Sequence, residues 1–300
     1  MSIASLQPYL TAIAAVVSLT TLAMILRLSV SFRQAARDRA EVLEEKNKYL
    51  QEQLAASESM SKRVDEFRAL ENGQLKEQLR ALLDDTGATL DALVVGKVTD
   101  SLEAGIRNSI ESLVRRMETR QDEIADPAWH LELAKGHMVG HDWLQAAVHF
   151  GEYLKVHSDD PVVHFSRGVA FTNARAGRST DLAAMLSYSQ AVAHTADNDI
   201  ALRALCLSRR GAMLKRLSRL DEAEADLRLA LRWNSDRATF KDIWYNLACV
   251  HAMRGERDQL LAMVDKLKGS HLEISRIRDH LGTYFAGFAE DEEFSRAIGV

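Results

Sequence analysis

The sequence predicts an all-α protein with an N-terminal membrane helix, a long helical stalk and a C-terminal body of stacked helix pairs. Three observations lead there. Proline occurs only at Pro8, Pro127 and Pro161, far below the roughly 5% of ordinary chains, so long stretches meet no helix breaker. Ala, Leu, Arg and Glu are abundant, and these side chains lose little freedom in a helix. An uncharged apolar run near the start gives way to charged text and then to recurring ladders of small and large apolar residues.

Composition narrows the function classes. The 300 residues hold 47% hydrophobic and 27% charged side chains, which excludes a disordered chain. A net charge of −5 leaves no global basic field, so nucleic acid is not an expected partner. Cys206 and Cys249 stand in apolar helical text without CxxC or Cys/His ligand spacing. They imply neither a disulfide framework nor a zinc site, and they suit a reducing compartment.

From Leu10 to Leu26 no residue is charged, and the apolar text continues past Arg27 through Leu28, Val30 and Phe32. That meets the roughly 17–25 residues a helix needs to cross a bilayer. A cleaved signal peptide wants a positively charged start, which MSIASLQPY lacks. A buried core helix would be apolar on one face, not all round. Arg27, Arg33, Arg37 and Arg39 follow the span and no basic residue precedes it. The positive-inside rule therefore predicts a single-pass protein of the inner or plasma membrane: residues 1–8 outside, 9–32 in the bilayer and the body in the cytoplasm.

Residues 33–85 read as a stalk helix. Leu43, Asn47, Leu50 and Leu54 keep the spacing of a coiled-coil seam, which weakens through Ser57, Ser61, Val64 and Arg68 before Leu75 and Leu82 restore it. A parallel homodimer with Asn47 setting the register is one reading; a monomeric or hairpin-packed helix is the other. Asp84–Gly87 signals a turn, and a second amphipathic helix is expected over 88–124. Its stripe, Val98, Leu102, Ile106, Ile110, Leu113 and Met117, must bury against the stalk or another copy. Gly96 and Gly105 weaken that helix by about 1 kcal/mol each relative to alanine.

From Pro127 a ladder repeats. Gly211 is followed by Ala223, Leu227 and Ala230; Ala134 by Ala146, Phe150 and Tyr153; Ala248 by Leu260, Val264 and Leu267. Gly168, Ala184, Tyr188 and Ala191 fit if four residues are inserted in the turn around Arg178 to Asp181. Small residues facing large ones let antiparallel helices approach closely, and several such pairs must stack to bury their apolar faces. The segments RRGAMLKRLSRLDEAEADLRLALRWN and WYNLACVHAMRGERDQ resemble the tetratricopeptide repeat family, a helix–turn–helix repeat of about 34 residues. The resemblance implies a TPR-like α-solenoid with repeats at about 127–160, 161–197, 198–235 and 238–268, closed by capping helices over 269–300. His137 and His251 depart from it, standing where the family usually has aromatics.

In such repeats the first helix of each pair lines the binding groove, which implies Lys135, Asn173, Arg209, Lys215, Arg216, Tyr245 and Asn246 as groove residues. The stretch Ile200–Leu220 carries Arg203, Arg209, Arg210, Lys215, Arg216 and Arg219 and no acid, which invites an acidic protein or peptide. Pairing of these cations with Asp221, Glu222, Glu224 and Asp226 is the competing expectation. Arg209 matches the arginine of the family's carboxylate clamp, but Leu131, Ser166 and Leu205 replace its polar members. His137 and His141 lack the Glu of HExxH, so no metal is expected; no phosphate cradle or nucleophile motif appears, and neither enzyme nor cofactor is expected. The sequence thus points to a membrane-anchored adaptor or scaffold that binds another protein. The alternative is a subunit of an oligomeric membrane effector or transport assembly whose first helix acts in the bilayer.

Overall fold

A computed structural model describes residues 7–95, 102–120, 126–233 and 237–300, and the regular structure among them is helical, with no strand. The chain divides into two compact units, Met1–Glu71 and Asn72–Val300. The first helix, α1 (Gln7–Asp85), runs without a break and begins just before Pro8, where a missing N–H costs nothing. Within the first unit no described residue is buried, and the apolar part of α1 is long enough to cross a membrane. The seam residues Leu43, Leu50 and Leu54 are likewise exposed.

The second unit begins with the last turns of α1. The single helix expected over 88–124 is instead two described pieces, α2 (Leu90–Val95) and α3 (Ala104–Glu118), with Leu102 and Glu103 outside helix. Gly105 in the first turn of α3 and the lack of a side-chain cap at Glu103 explain why the helical text does not run through. Val98 and Gly96 lie outside the described residues. Ile110, Val114 and Met117 bury the stripe of α3 in one core with Leu75, Leu79, Leu83 and Leu133. Lys76 adds an ion pair to Asp126 at 2.7 Å.

Four helix pairs follow: α4 (Pro127–Val139) with α5 (Trp143–Leu154), α6 (Pro161–Ala174) with α7 (Arg178–His194), α8 (Ile200–Arg216) with α9 (Leu220–Trp233), and α10 (Arg237–Arg254) with α11 (Arg257–Lys266). Consecutive helices pack on one another from α4 to α11. Helix starts share a device. Asp126, Asp142, Asp160 and Asp199 each accept a hydrogen bond from a backbone N–H of the first turn, and Pro127 and Pro161 follow two of these caps.

The turns within three of the pairs are also alike. His141, Ser218 and Gly255 take positive φ, and the next residue donates its N–H back to His137, Leu214 and His251 respectively. This six-to-one bond closes each first helix and satisfies its last carbonyls. The α6–α7 turn is different, passing through Arg175 and Gly177 at positive φ. The four extra residues of this repeat are not in the turn, as the sequence spacing implied, because Arg178–Asp181 form the first turn of α7. An inserted helical turn preserves the facing register that an irregular loop would not have to keep.

The ladder residues are the contact points of the pairs. A Cβ on Gly168 would lie 2.6 Å from the Tyr188 ring, and one on Gly211 would lie 2.8 Å from Leu227 Cγ. Beyond α11, α12 (His271–Asp279), a 3-10 turn and α13 (Glu292–Ile298) close a second core around Tyr245, Phe285 and Phe294. Arg257 bridges to Asp291 and Glu293 across this end.

Candidate functional site

The seven groove candidates separate into two groups. Lys135 on α4 is held by Glu132 at 2.6 Å, Asn173 is exposed near the end of α6, and Arg209 is half-buried on α8. These three do not share a pocket. Lys215, Arg216 and Tyr245 do, in a cavity of about 430 Å³ lined also by Arg175, Arg276, His280 and Tyr284.

Lys215 is the centre of this cavity. It is only 4% exposed, and its ammonium donates to Asn246 Oδ1 at 2.8 Å. Asn246 is fixed in turn by donating Nδ2–H to the Asp242 carbonyl. The ring faces of Tyr284 and Tyr245 lie 4.5 and 5.3 Å from the same ammonium, a cation–π arrangement. Burial pushes the Lys215 pKa down, because its surroundings replace only part of the lost water. Arg276 stacks 3.9 Å from the Tyr245 ring centroid and pairs with Asp242; Arg216 pairs with Asp181 at 2.7 Å. Among the described residues Arg175 and Lys215 have no carboxylate partner, and none lines the cavity. The site is therefore a cationic, aromatic-walled recess suited to an anionic group.

The rest of the basic stretch is largely neutralised. Arg203 pairs with Asp197, Arg210 with Asp226 and Arg219 with Glu222. Asp221 and Glu224 serve Arg254 instead. The expectation that the following helix supplies the counter-ions thus holds for Arg210 and Arg219, while Arg216 finds its acid in the preceding pair. Sequence reading missed Arg276, His280 and Tyr284 because they lie in text that reads as a cap, and Arg175 because only the irregular turn brings it to the recess.

A second cluster lies at the other end of the body. His137 on α4 and His149 on α5 stack at 5.2 Å between ring centroids, His130 stacks on His149, and Glu118 Oε1 sits 3.1 Å from His137 Nε2. Burial depresses the pKa of all three histidines, that of His149 to about 4. Beside them is a cavity of about 350 Å³ lined by Glu111, Glu118, His137, Asp142 and Gln145, among others. Compared with known protein families and with curated proteins, the chain matches none.

Proposed function

We propose that this chain is a single-pass membrane-anchored adaptor whose helical-pair body, resembling tetratricopeptide repeats, captures an acidic segment of another protein. The observation that carries the proposal is the recess in which Lys215, Arg216 and Arg276 gather around Tyr245 and Tyr284 with no carboxylate in the lining. A buried ammonium with only a neutral hydrogen-bond partner is unfavourable for folding, and a partner carboxylate entering the recess supplies the missing counter-charge. Lys135, Asn173 and Arg209 then act as outlying contacts. The exposed apolar part of α1 supports the anchor, since hydrocarbon is the solvent that favours such a surface. The basic residues after it favour a cytoplasmic body, where tethering raises the effective concentration of partner at the membrane. The exposed seam through Leu43, Leu50 and Leu54 fits pairing of two copies.

The test uses the full-length chain in detergent and a fluorescent Glu-rich peptide read by anisotropy. Wild type binds it in a salt-sensitive way, and Arg175→Glu and Lys215→Met each weaken binding at least tenfold. Equal affinity in all three proteins would defeat the proposal. For the anchor, deletion of residues 1–32 releases the chain from alkaline-washed membranes while peptide binding persists. Loss of all complex formation on that deletion would favour the effector-assembly alternative.

A further inference from the structure

We propose that Glu118, His137 and His149 form a binding site for a zinc-class divalent transition metal, independent of the cationic recess. The three side chains come from different helices: Glu118 is the last residue of α3, His137 lies in the last turn of α4 and His149 is in the middle of α5. Each offers a ligand atom, and the three atoms lie within 4.8 Å of one another. Around a tetrahedral ion with bonds of about 2.0–2.1 Å, ligand atoms stand about 3.4 Å apart. The separation of 3.1 Å between His137 Nε2 and Glu118 Oε1 is already close to that.

His137 Nε2 is buried, and despite its nearness to Glu118 it makes no aligned hydrogen bond. His137 is 7% exposed and His149 3%, so both rings are held by packing. One outer partner is present: His149 Nδ1 lies 3.1 Å from His130 Nδ1, a contact that orients the His149 ring. Asp142 Oδ2, 4.0 Å from His137 Nδ1, adds negative charge nearby without a hydrogen bond.

The neighbouring cavity, with Glu111, Glu118 and Asp142 in its wall, gives a cation an acidic approach from solvent. Arg115, 3.6 Å from Glu111, offsets part of that charge. Two imidazoles and one carboxylate select zinc, cobalt or nickel over calcium and magnesium, which prefer oxygen ligands throughout. Three protein ligands leave a coordination position for water on the cavity side.

The experiment titrates Co²⁺ into tag-free, chelator-treated full-length protein. Wild type develops a saturable visible ligand-field spectrum at one ion per chain, and Zn²⁺ displaces it. Glu118→Gln and His137→Gln abolish saturation. His141→Ala, which replaces an exposed neighbouring histidine, leaves it unchanged. Because Glu118 is partly exposed, Glu118→Gln serves as the variant that keeps the fold. Zn²⁺ raises the Tm of wild type and leaves that of Glu118→Gln where it was. Absence of a saturable spectrum in wild type, or wild-type affinity in Glu118→Gln, would assign the histidines to ring stacking alone and overturn the proposal, whatever the recess binds.

Discussion

Arg210 grips Asp226 through two parallel hydrogen bonds, Nε to Oδ2 at 2.6 Å and Nη2 to Oδ1 at 2.8 Å, and so ties α8 to α9. Both groups are largely sheltered, so removing one strands the other. Arg210→Ala is expected to destabilise the protein by about 3 kcal/mol in urea unfolding. Arg210→Lys keeps the charge but not the planar fork and recovers only part of the loss. Replacing both residues, Arg210→Met with Asp226→Leu, returns stability to within about 1 kcal/mol of wild type. A double variant as weak as the single one would refute the stranded-charge explanation.

At the interface of α6 and α7, Gly168 faces the buried Tyr188 ring so closely that an added Cβ would meet three ring carbons within 2.9 Å. The ring also bonds Thr172 through its hydroxyl at 3.0 Å, which limits its retreat. Gly168→Ala should therefore lower stability by about 1–3 kcal/mol despite the gain in helix propensity. Gly151→Ala is the contrast. Its nearest neighbour is the end of the long Arg167 side chain at 3.2 Å, which has only to shift by a few tenths of an ångström, and thermal melts should place it closer to wild type than Gly168→Ala.

Lys215 is kept in the core against its own solvation. Lys215→Met, of similar shape and without charge, is predicted to gain about 1 kcal/mol of stability at pH 7. The sign with pH follows from linkage. The folded pKa is lowered, so above it the unfolded chain binds more protons and wild-type stability rises toward pH 10. The advantage of the Met variant should shrink over that range when unfolding midpoints are compared at pH 7 and 10.

His164 on α6 stacks on His194 at 5.5 Å and donates from Nε2 to the Ser158 carbonyl at 2.9 Å. Burial is the main cause of its lowered pKa, with His194 and Arg167 adding to it and the Ser158 carbonyl and Asp160 opposing. The unfolded chain takes up this proton first, so stability falls as pH drops below about 6.5. His164→Gln keeps a donor and does not titrate. Its loss of stability between pH 7 and 5 should be shallower than that of wild type, and an identical slope would assign the acid sensitivity elsewhere.

Much of the body was readable in advance because its rules are local. An Asp before Pro127 and Pro161 marks a helix start, and a small residue opposite a large one marks a helix contact. The break between α2 and α3 was not readable, because the apolar stripe continues in phase across it and periodicity alone cannot see a missing cap. The recess was half legible. Lys215, Arg216, Tyr245 and Asn246 fall on the first helices of their pairs, whereas Arg175, Arg276, His280 and Tyr284 arrive through an irregular turn and a closing segment. The histidine cluster was missed because its ligand atoms come from three helices, Glu118 to His137 and on to His149, at separations that follow no helical period, and no short motif encodes such an approach.

Cys206 lies in the larger core and Cys249 in the one that closes the C-terminal end, both buried and unpaired. Burial raises both thiol pKa values, that of Cys206 to about 12, so neither presents a thiolate to a reagent while its surroundings stay closed. The protein therefore carries two silent chemical timers, one per core. Each starts only when its own region opens, and the interval between them records whether a stack of helix pairs yields all at once or unzips from one end.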